Sequence, residues 1–220
     1  MNENIQQNLF VASVDPVIFS LMDEDLFVLL VRRKSETFDN FLSLPGGTLN
    51  HEDQNLENGI IRVLDEKTGV NANYMEQIYT RVGHDPRGPT ISVAYMALVH
   101  KQDVKDKAFW VNVKDIEHIS LAFDHKEVIE KGIKRLTDKV NYSTLPIHFL
   151  EQPFTLPKLQ KIYETLLNEK LSKSSFRAKI EETGILEDIG QKVKEGPYRP
   201  ASLYKLKENK VFNFSKNMIR

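Results

Sequence analysis

The stretch from Leu42 to Val70, LSLPGGTLNHEDQNLENGIIRVLDEKTGV, constrains this chain more than any other. Pro45-Gly46-Gly47 ends an apolar run and lets the backbone turn tightly. Past the polar loop, Leu56, Ile60 and Val63, flanked by Ile61 and Leu64, recur at helical spacing. That spacing predicts a helix from about Asn55 to Thr68. Gly69 stands where a left-handed glycine ends a helix.

Strand, glycine turn, loop and helix in this order resemble the Nudix box. Its pattern is Gly, five residues, Glu, seven residues, then Arg-Glu-aliphatic-x-Glu-Glu-x-Gly-aliphatic. In Nudix hydrolases the helical glutamates hold Mg²⁺ or Mn²⁺ beside a diphosphate, because clustered hard oxygens are needed to activate water there. Aligned through Arg62, Leu64 and Gly69, those positions here are Val63, Glu66 and Lys67. Valine cannot ligate, and lysine places a cation where the metal belongs. With Asp53 in the first glutamate's place, the loop carries one extra residue before Arg62. Two readings stay open. In one, the domain binds a nucleotide-like ligand without cleaving it, so no catalytic residue, metal or cofactor is expected. In the other, the register slips and Asp65 or Glu57 supplies ligands.

The chain's 220 residues suit one large or two small domains, and 40% hydrophobic content is enough for a buried core. No apolar run approaches a membrane span, and Met1–Phe10 is polar, unlike a secretory leader. The absence of cysteine rules out disulfides and fits a reducing interior, so a cytoplasmic protein is expected. Charge is unevenly spread. Residues 151–220 hold 14 Lys and Arg against 9 Asp and Glu, leaving 16 against 22 in residues 1–150. A basic third on an acidic body points to an anionic partner, although solvated lysines give the same count.

Phe10–Phe19 and Leu26–Arg32 read as strands joined by an acidic turn. Pro16 inside the first suggests an edge or a bulge. Arg32 and Arg33 close the second strand, either as a solvated rim or as phosphate contacts. Tyr74–Arg81 and Thr90–Val99 read as strands around a loop from Gly83 to Pro89, and Phe109–Val113 as a further strand whose Trp110 is expected in packing. The Asp-Pro-Arg-Gly within that loop resembles one in Nudix relatives that handle ADP-ribose, which implicates Arg87. Leu121–His125 precedes a helix with an apolar stripe of Val128, Ile129, Ile133, Leu136 and Val140, and Asp124 is suited to cap it. His125 anchors a loop or senses a ligand; nothing in the spacing makes it a metal site.

Glu151-Gln152-Pro153 marks an expected boundary, giving domains 1–150 and 151–220. Thr155 is placed to cap a helix carrying Leu156, Leu159, Ile162, Leu166 and Leu167. Ser172 is placed to cap a second, Lys173–Glu182, with Phe176 and Ile180 inward. Ile185–Ile189 and Ser202–Leu206 read as short strands around a basic loop. This is the layout of a winged helix-turn-helix. Its second helix turns Lys173, Ser174, Ser175, Arg177 and Ala178 outward, suited to phosphates and base edges in a major groove. The wing offers Lys192, Lys194, Tyr198 and Arg199. A small dimerisation module with solvated charges is the competing reading.

Taken together, the degenerate box, LAFDH, PFTLPKLQKIYETLL, SSFRAKI and RPASLYKL resemble the NrtR family of Nudix-related regulators of NAD metabolism, from about Phe10 to Leu206. The resemblance implies an α/β fold: an N-terminal Nudix α/β/α sandwich with a mixed sheet, then a C-terminal winged helix domain. It implies a homodimeric repressor of palindromic operator DNA, with no membrane partner, that ADP-ribose releases. Candidate pocket residues are Arg32, Gly46, Gly47, Arg62, Glu66, Arg87 and His125. Some relatives regulate sugar use and sense other ligands. An active hydrolase of ADP-ribose, or a sugar-responsive regulator, is the alternative expectation.

Overall fold

A computed structural model describes residues 9–85, 88–105, 107–194 and 199–219, without the side chains of His84 and Asp85. Strands β1 (Val11–Met22) and β2 (Asp25–Arg32) form an antiparallel hairpin. Asp23 and Glu24, at φ of 48° and 69°, make the two-residue turn, which matches the strands' right-handed twist. Short β3 (Leu42–Ser43) pairs with β2, and β4 (Gly47–Thr48) pairs with β1. After helix α1 (Leu56–Thr68) come β5 (Tyr74–Asp85), β6 (Gly88–Leu98) and β7 (Ala108–Asn112). β1 pairs in parallel with β6, and the remaining ladders are antiparallel, so the seven-stranded sheet is mixed.

Side-chain alternation explains the layers. Val17 and Phe19 of β1, Val28 and Leu30 of β2, and Ala94, Met96 and Leu98 of β6 pack toward helix α2 (His125–Tyr142). The intervening Val14, Ile18, Leu29, Val93, Tyr95 and Ala97 pack with Ile60, Val63 and Leu64 of α1. Period-two strands buried on both faces read as unbroken apolar runs, and they force a helix onto each side.

Two expectations change here. Pro16 lies in a central strand, neither at an edge nor in a bulge. On the side of β1 away from β6, however, β4 pairs only residues 13–14 and β2 only residues 19–22. A residue without an N–H is tolerated in that gap. The expected loop from Gly83 to Pro89 is largely ladder, with His84 opposite Pro89 and Asp85 opposite Gly88. Gly88 takes φ of 122°, in the region that favours glycine.

The remaining elements are β8 (Phe154–Thr155), α3 (Leu156–Leu167), α4 (Lys173–Glu182), β9 (Leu186–Val193) and β10 (Ala201–Leu206), with a three-stranded sheet in the order β8-β10-β9. β9 runs four residues past the expected Ile189. Thr155 caps α3 by accepting from the Lys158 N–H. Ser172 makes no such bond to α4, and its hydroxyl pairs with Ser174 instead. Phe176 and Ile180 of α4 face Leu159 and Tyr163 of α3, with the Tyr163 and Phe176 rings 5.4 Å apart. These residues belong to the same apolar core as α2, and the buried Tyr163 hydroxyl donates to the Ser143 carbonyl at 2.7 Å.

Candidate ligand cavity and nucleic-acid interface

Between β1, β2, the glycine turn and the start of α2 lies a cavity of about 1250 Å³. Its glycines are required by crowding. A methyl group at Gly46 would collide with the Asp15 carboxylate, and one at Gly47 would lie 2.7 Å from Val63 Cγ2. The turn therefore packs its bare backbone onto the strand on one side and the helix on the other. On the floor, Ser92 donates to buried Asp15, and Arg81 pairs with Asp124. Arg81 Nε and Asp124 Oδ1 have no hydrogen-bond partner although they are buried. Asp124 therefore serves this pair and makes no side-chain cap on α2, contrary to the expectation from sequence.

His125 stands at the cavity wall, 5% exposed. Its Nδ1 accepts the Leu44 N–H at 2.9 Å, which leaves the proton of the neutral ring on Nε2. Burial pushes this imidazole below its usual range, against the opposing pull of Asp15 and Asp124. His125 thus ties the strand before the glycine turn to the first turn of α2.

The rim comes from residues 33–41. Arg33 N–H donates to the Phe41 carbonyl and Asn40 N–H to the Arg33 carbonyl, closing a loop in which Phe38 and Asn40 adopt positive φ. Arg32 donates to the Asn40 carbonyl at 2.9 Å. Arg33 lies 4.7 Å from the centre of the Phe123 ring, which in turn meets Phe38 edge-on at 4.8 Å. The lining carries Arg32, Arg33, Lys34, Lys67, Arg81 and Lys107 against Asp15, Glu36, Glu66 and Asp124. An excess of cations around aromatic edges suits an anionic ligand with a planar group.

Among the residues named from sequence, Arg32, Gly46, Gly47, Glu66 and His125 line this cavity. Arg62 does not. Its guanidinium grips both oxygens of Asp53 at 2.9 and 2.6 Å, donates to the Thr48 carbonyl at 3.0 Å and reaches Glu66 at 3.3 Å. This clasp holds the loop to the helix, and its hydrogen bond brings the Asp53 carboxyl down to about 2. Arg87 falls outside the described residues. Reasoning from sequence missed Arg81, Lys34, Lys107, Asp15 and Ser92. The last two are 77 residues apart and meet only because β1 and β6 pair in register.

Of the three residues aligned from sequence with the box glutamates, Val63 is fully buried against Gly47, while Glu66 and Lys67 both line the cavity. Asp65 is exposed beside Lys105, and Glu57 accepts from Tyr95. Among the described residues, no group of three or more His, Asp or Glu side chains is placed to hold a metal ion.

At the other end of the chain, Lys173, Ser174, Ser175 and Arg177 are all exposed on α4. Lys192 at the end of β9, Lys194 just past it and Arg199 before β10 are exposed on the wing. Tyr198 lies outside the described residues. One short helix thus presents small hydroxyls between two cations, beside a basic hairpin.

Comparisons with known proteins bear on both sites. A Nudix domain model matches residues 13–132, and a model of the NrtR DNA-binding winged helix domain matches residues 146–206. The chain is 36% identical over 212 residues to the ADPR responsive transcriptional repressor NtrR of Acinetobacter baylyi, covering 92% of this chain and 84% of that one. Shewanella oneidensis NrtR complexed with a 27mer DNA superposes with a TM-score of 0.86 at 38% identity, covering 94% of this chain and 98% of that one. The NUDIX domain of the same Shewanella protein, complexed with ADP ribose, gives a TM-score of 0.57 at 34% identity, covering 59% of this chain and 90% of that one. A Nudix domain followed by a winged helix of this type, with a relative 36% identical over nearly the whole chain, places the chain in the NrtR family.

Proposed function

We propose that this chain is an ADP-ribose-responsive transcriptional repressor. Its winged helix binds operator DNA, and ligand in the Nudix cavity releases it. The observation that carries the reading is the cavity itself. Cations crowd its wall, and an aliphatic and an ammonium stand at two of the three metal positions of the box. Such a site recognises a diphosphate without activating water against it. The divalent ion that the Nudix fold implies does not fit this donor set. Val63 has no donor atom, Lys67 repels a cation, and Glu66 is already paired with Arg62. The relatives' recorded partners, ADP ribose and a 27mer DNA, support the same assignment.

In this reading Arg32, Gly46, Gly47, Glu66 and His125 contact the ligand, and Arg87 is a further candidate from sequence. Arg62 holds the loop that shapes the turn. Lys173, Ser174, Ser175 and Arg177 enter the major groove, and Lys192, Lys194, Tyr198 and Arg199 track the backbone beside it. The division between sensing and DNA-binding parts falls near residue 150. A cytoplasmic homodimer places two α4 helices on half-sites about one helical turn, ~34 Å, apart.

A gel shift with DNA from upstream of the protein's own gene tests this. Retardation that ADP-ribose reverses is expected, and no retardation of any upstream fragment at moderate salt contradicts it. Glu66, the one carboxylate left at a box metal position, favours residual hydrolysis as a second reading. Release of AMP from ADP-ribose and Mg²⁺, abolished in Glu66→Gln, would support that reading instead.

A further inference from the structure

After β10 the chain turns back onto the body rather than extending the wing. Residues Val211–Ile219 lie beyond the span matched by the winged helix model, which ends at 206. They are bonded to the end of α2 and the residues just past it. Phe212 N–H donates to Thr144 Oγ1 and Thr144 N–H to the Phe212 carbonyl, both at 2.9 Å. Phe214 N–H donates to the Tyr142 carbonyl at 2.7 Å, and Ile219 N–H to Asn141 Oδ1 at 2.8 Å. The same segment grips α4. Lys179 Nζ donates to the Lys216 carbonyl at 3.0 Å and also to that of Asn217. It sits 5.7 Å from the Phe214 ring centre, and Ser215 donates to Glu182. Phe214 in turn meets Tyr163 of α3, and Val211, Phe214 and Met218 pack against the core.

Resting on the reading of α4 as the DNA-reading helix, we infer that Val211–Ile219 is a strut that fixes α4 to the end of α2 and so positions it for the operator. Lys179 and Arg177 lie two residues apart, about 200° around the helix. Lys179 therefore turns away from the face that Arg177 presents. Without the strut, α4 is a helix of ten residues anchored by Phe176 and Ile180. A helix that short is marginal by itself, so its angle depends on what holds it. Releasing it makes DNA binding bear the cost of ordering it again. The strut also completes a connection between the two sites, because α2, to whose end it is bonded, begins at His125 in the cavity wall.

The test uses the full chain, a chain truncated after Lys210, and Phe214→Ala, which removes no charge. Operator affinity, ADP-ribose affinity and melting temperature are measured for each. Operator affinity is expected to fall roughly tenfold in both variants while ADP-ribose affinity stays within twofold. In Phe214→Ala the slope of log affinity against log salt is expected to stay unchanged, since no phosphate contact is removed. If both variants bind operator within twofold of the full chain, the strut has no such role. If ADP-ribose affinity falls in proportion to operator affinity, the segment is a general stabiliser, and the inference is overturned as well. Failure of the full chain itself to bind any upstream fragment is a separate result, which removes the reading of α4 beneath it.

Discussion

Val63 and Lys67 show what a single side chain decides in this cavity. Val63 is 0% exposed and packs directly against the Gly47 backbone. Restoring an acid there does not simply rebuild a metal site, because the carboxylate would be buried without a partner. Val63→Glu is expected to lower unfolding free energy by about 2–3 kcal/mol in urea titrations. Gly46→Ala drives a methyl group into Asp15 and is expected to weaken ADP-ribose binding about tenfold by calorimetry, since the turn must move off the strand. The alignment that sets Val63 and Lys67 at metal positions of the box rests on Arg62, Leu64 and Gly69 read together. The role of Arg62 was not legible. Sequence spacing places an arginine near the ligand, but only the fold shows that Asp53 and Thr48 claim it. Lys34 and Lys107 have no periodic signal either, because they sit in irregular connections.

At the level of elements, α2 does the most. Its first turn holds the cavity wall through His125, and its far end receives Tyr163, whose hydroxyl donates to Ser143. The stripe expected from sequence, Leu156, Leu159, Ile162, Leu166 and Leu167, omits Tyr163, the largest fully buried side chain among the described residues. An aromatic at the fourth position after Leu159 continues the helical stripe, and that spacing was the available signal. Tyr163→Phe is expected to cost about 1–2 kcal/mol of stability, because a buried carbonyl loses its donor. Beside the junction, burial pushes the His148 imidazole down to about 4. Its unfolded value is near 6.5, so between pH 6.5 and 4 the unfolded chain binds more protons. This contribution to stability is present at pH 7 and is lost as pH falls through that window. The melting temperature is expected to drop between pH 7 and pH 5, and the drop to shrink in His148→Gln. An equal drop in both proteins would contradict that assignment.

Across the whole molecule, one apolar core runs from the sandwich into the helices of the winged domain. The charge balance and the turn residues Glu151-Gln152-Pro153 are what suggest two modules in the sequence. The sequence does not reveal that they share a core, because that depends on which faces of α2 and α3 meet. That core includes Leu44 at the cavity as well as Phe176 and Ile180 of α4. A hundredfold loss of operator affinity requires ADP-ribose to favour the released state by about 2.7 kcal/mol. Arg177→Ala and Arg199→Ala are expected to weaken operator binding by about 1–3 kcal/mol while leaving ligand binding intact. The most direct test of the account is operator affinity measured by fluorescence anisotropy with and without saturating ADP-ribose, in the presence of Mg²⁺. Tight, salt-sensitive binding that falls at least a hundredfold with ligand is expected, while the ADP-ribose stays intact. Operator affinity indifferent to ADP-ribose, with AMP accumulating in the same sample, would contradict it.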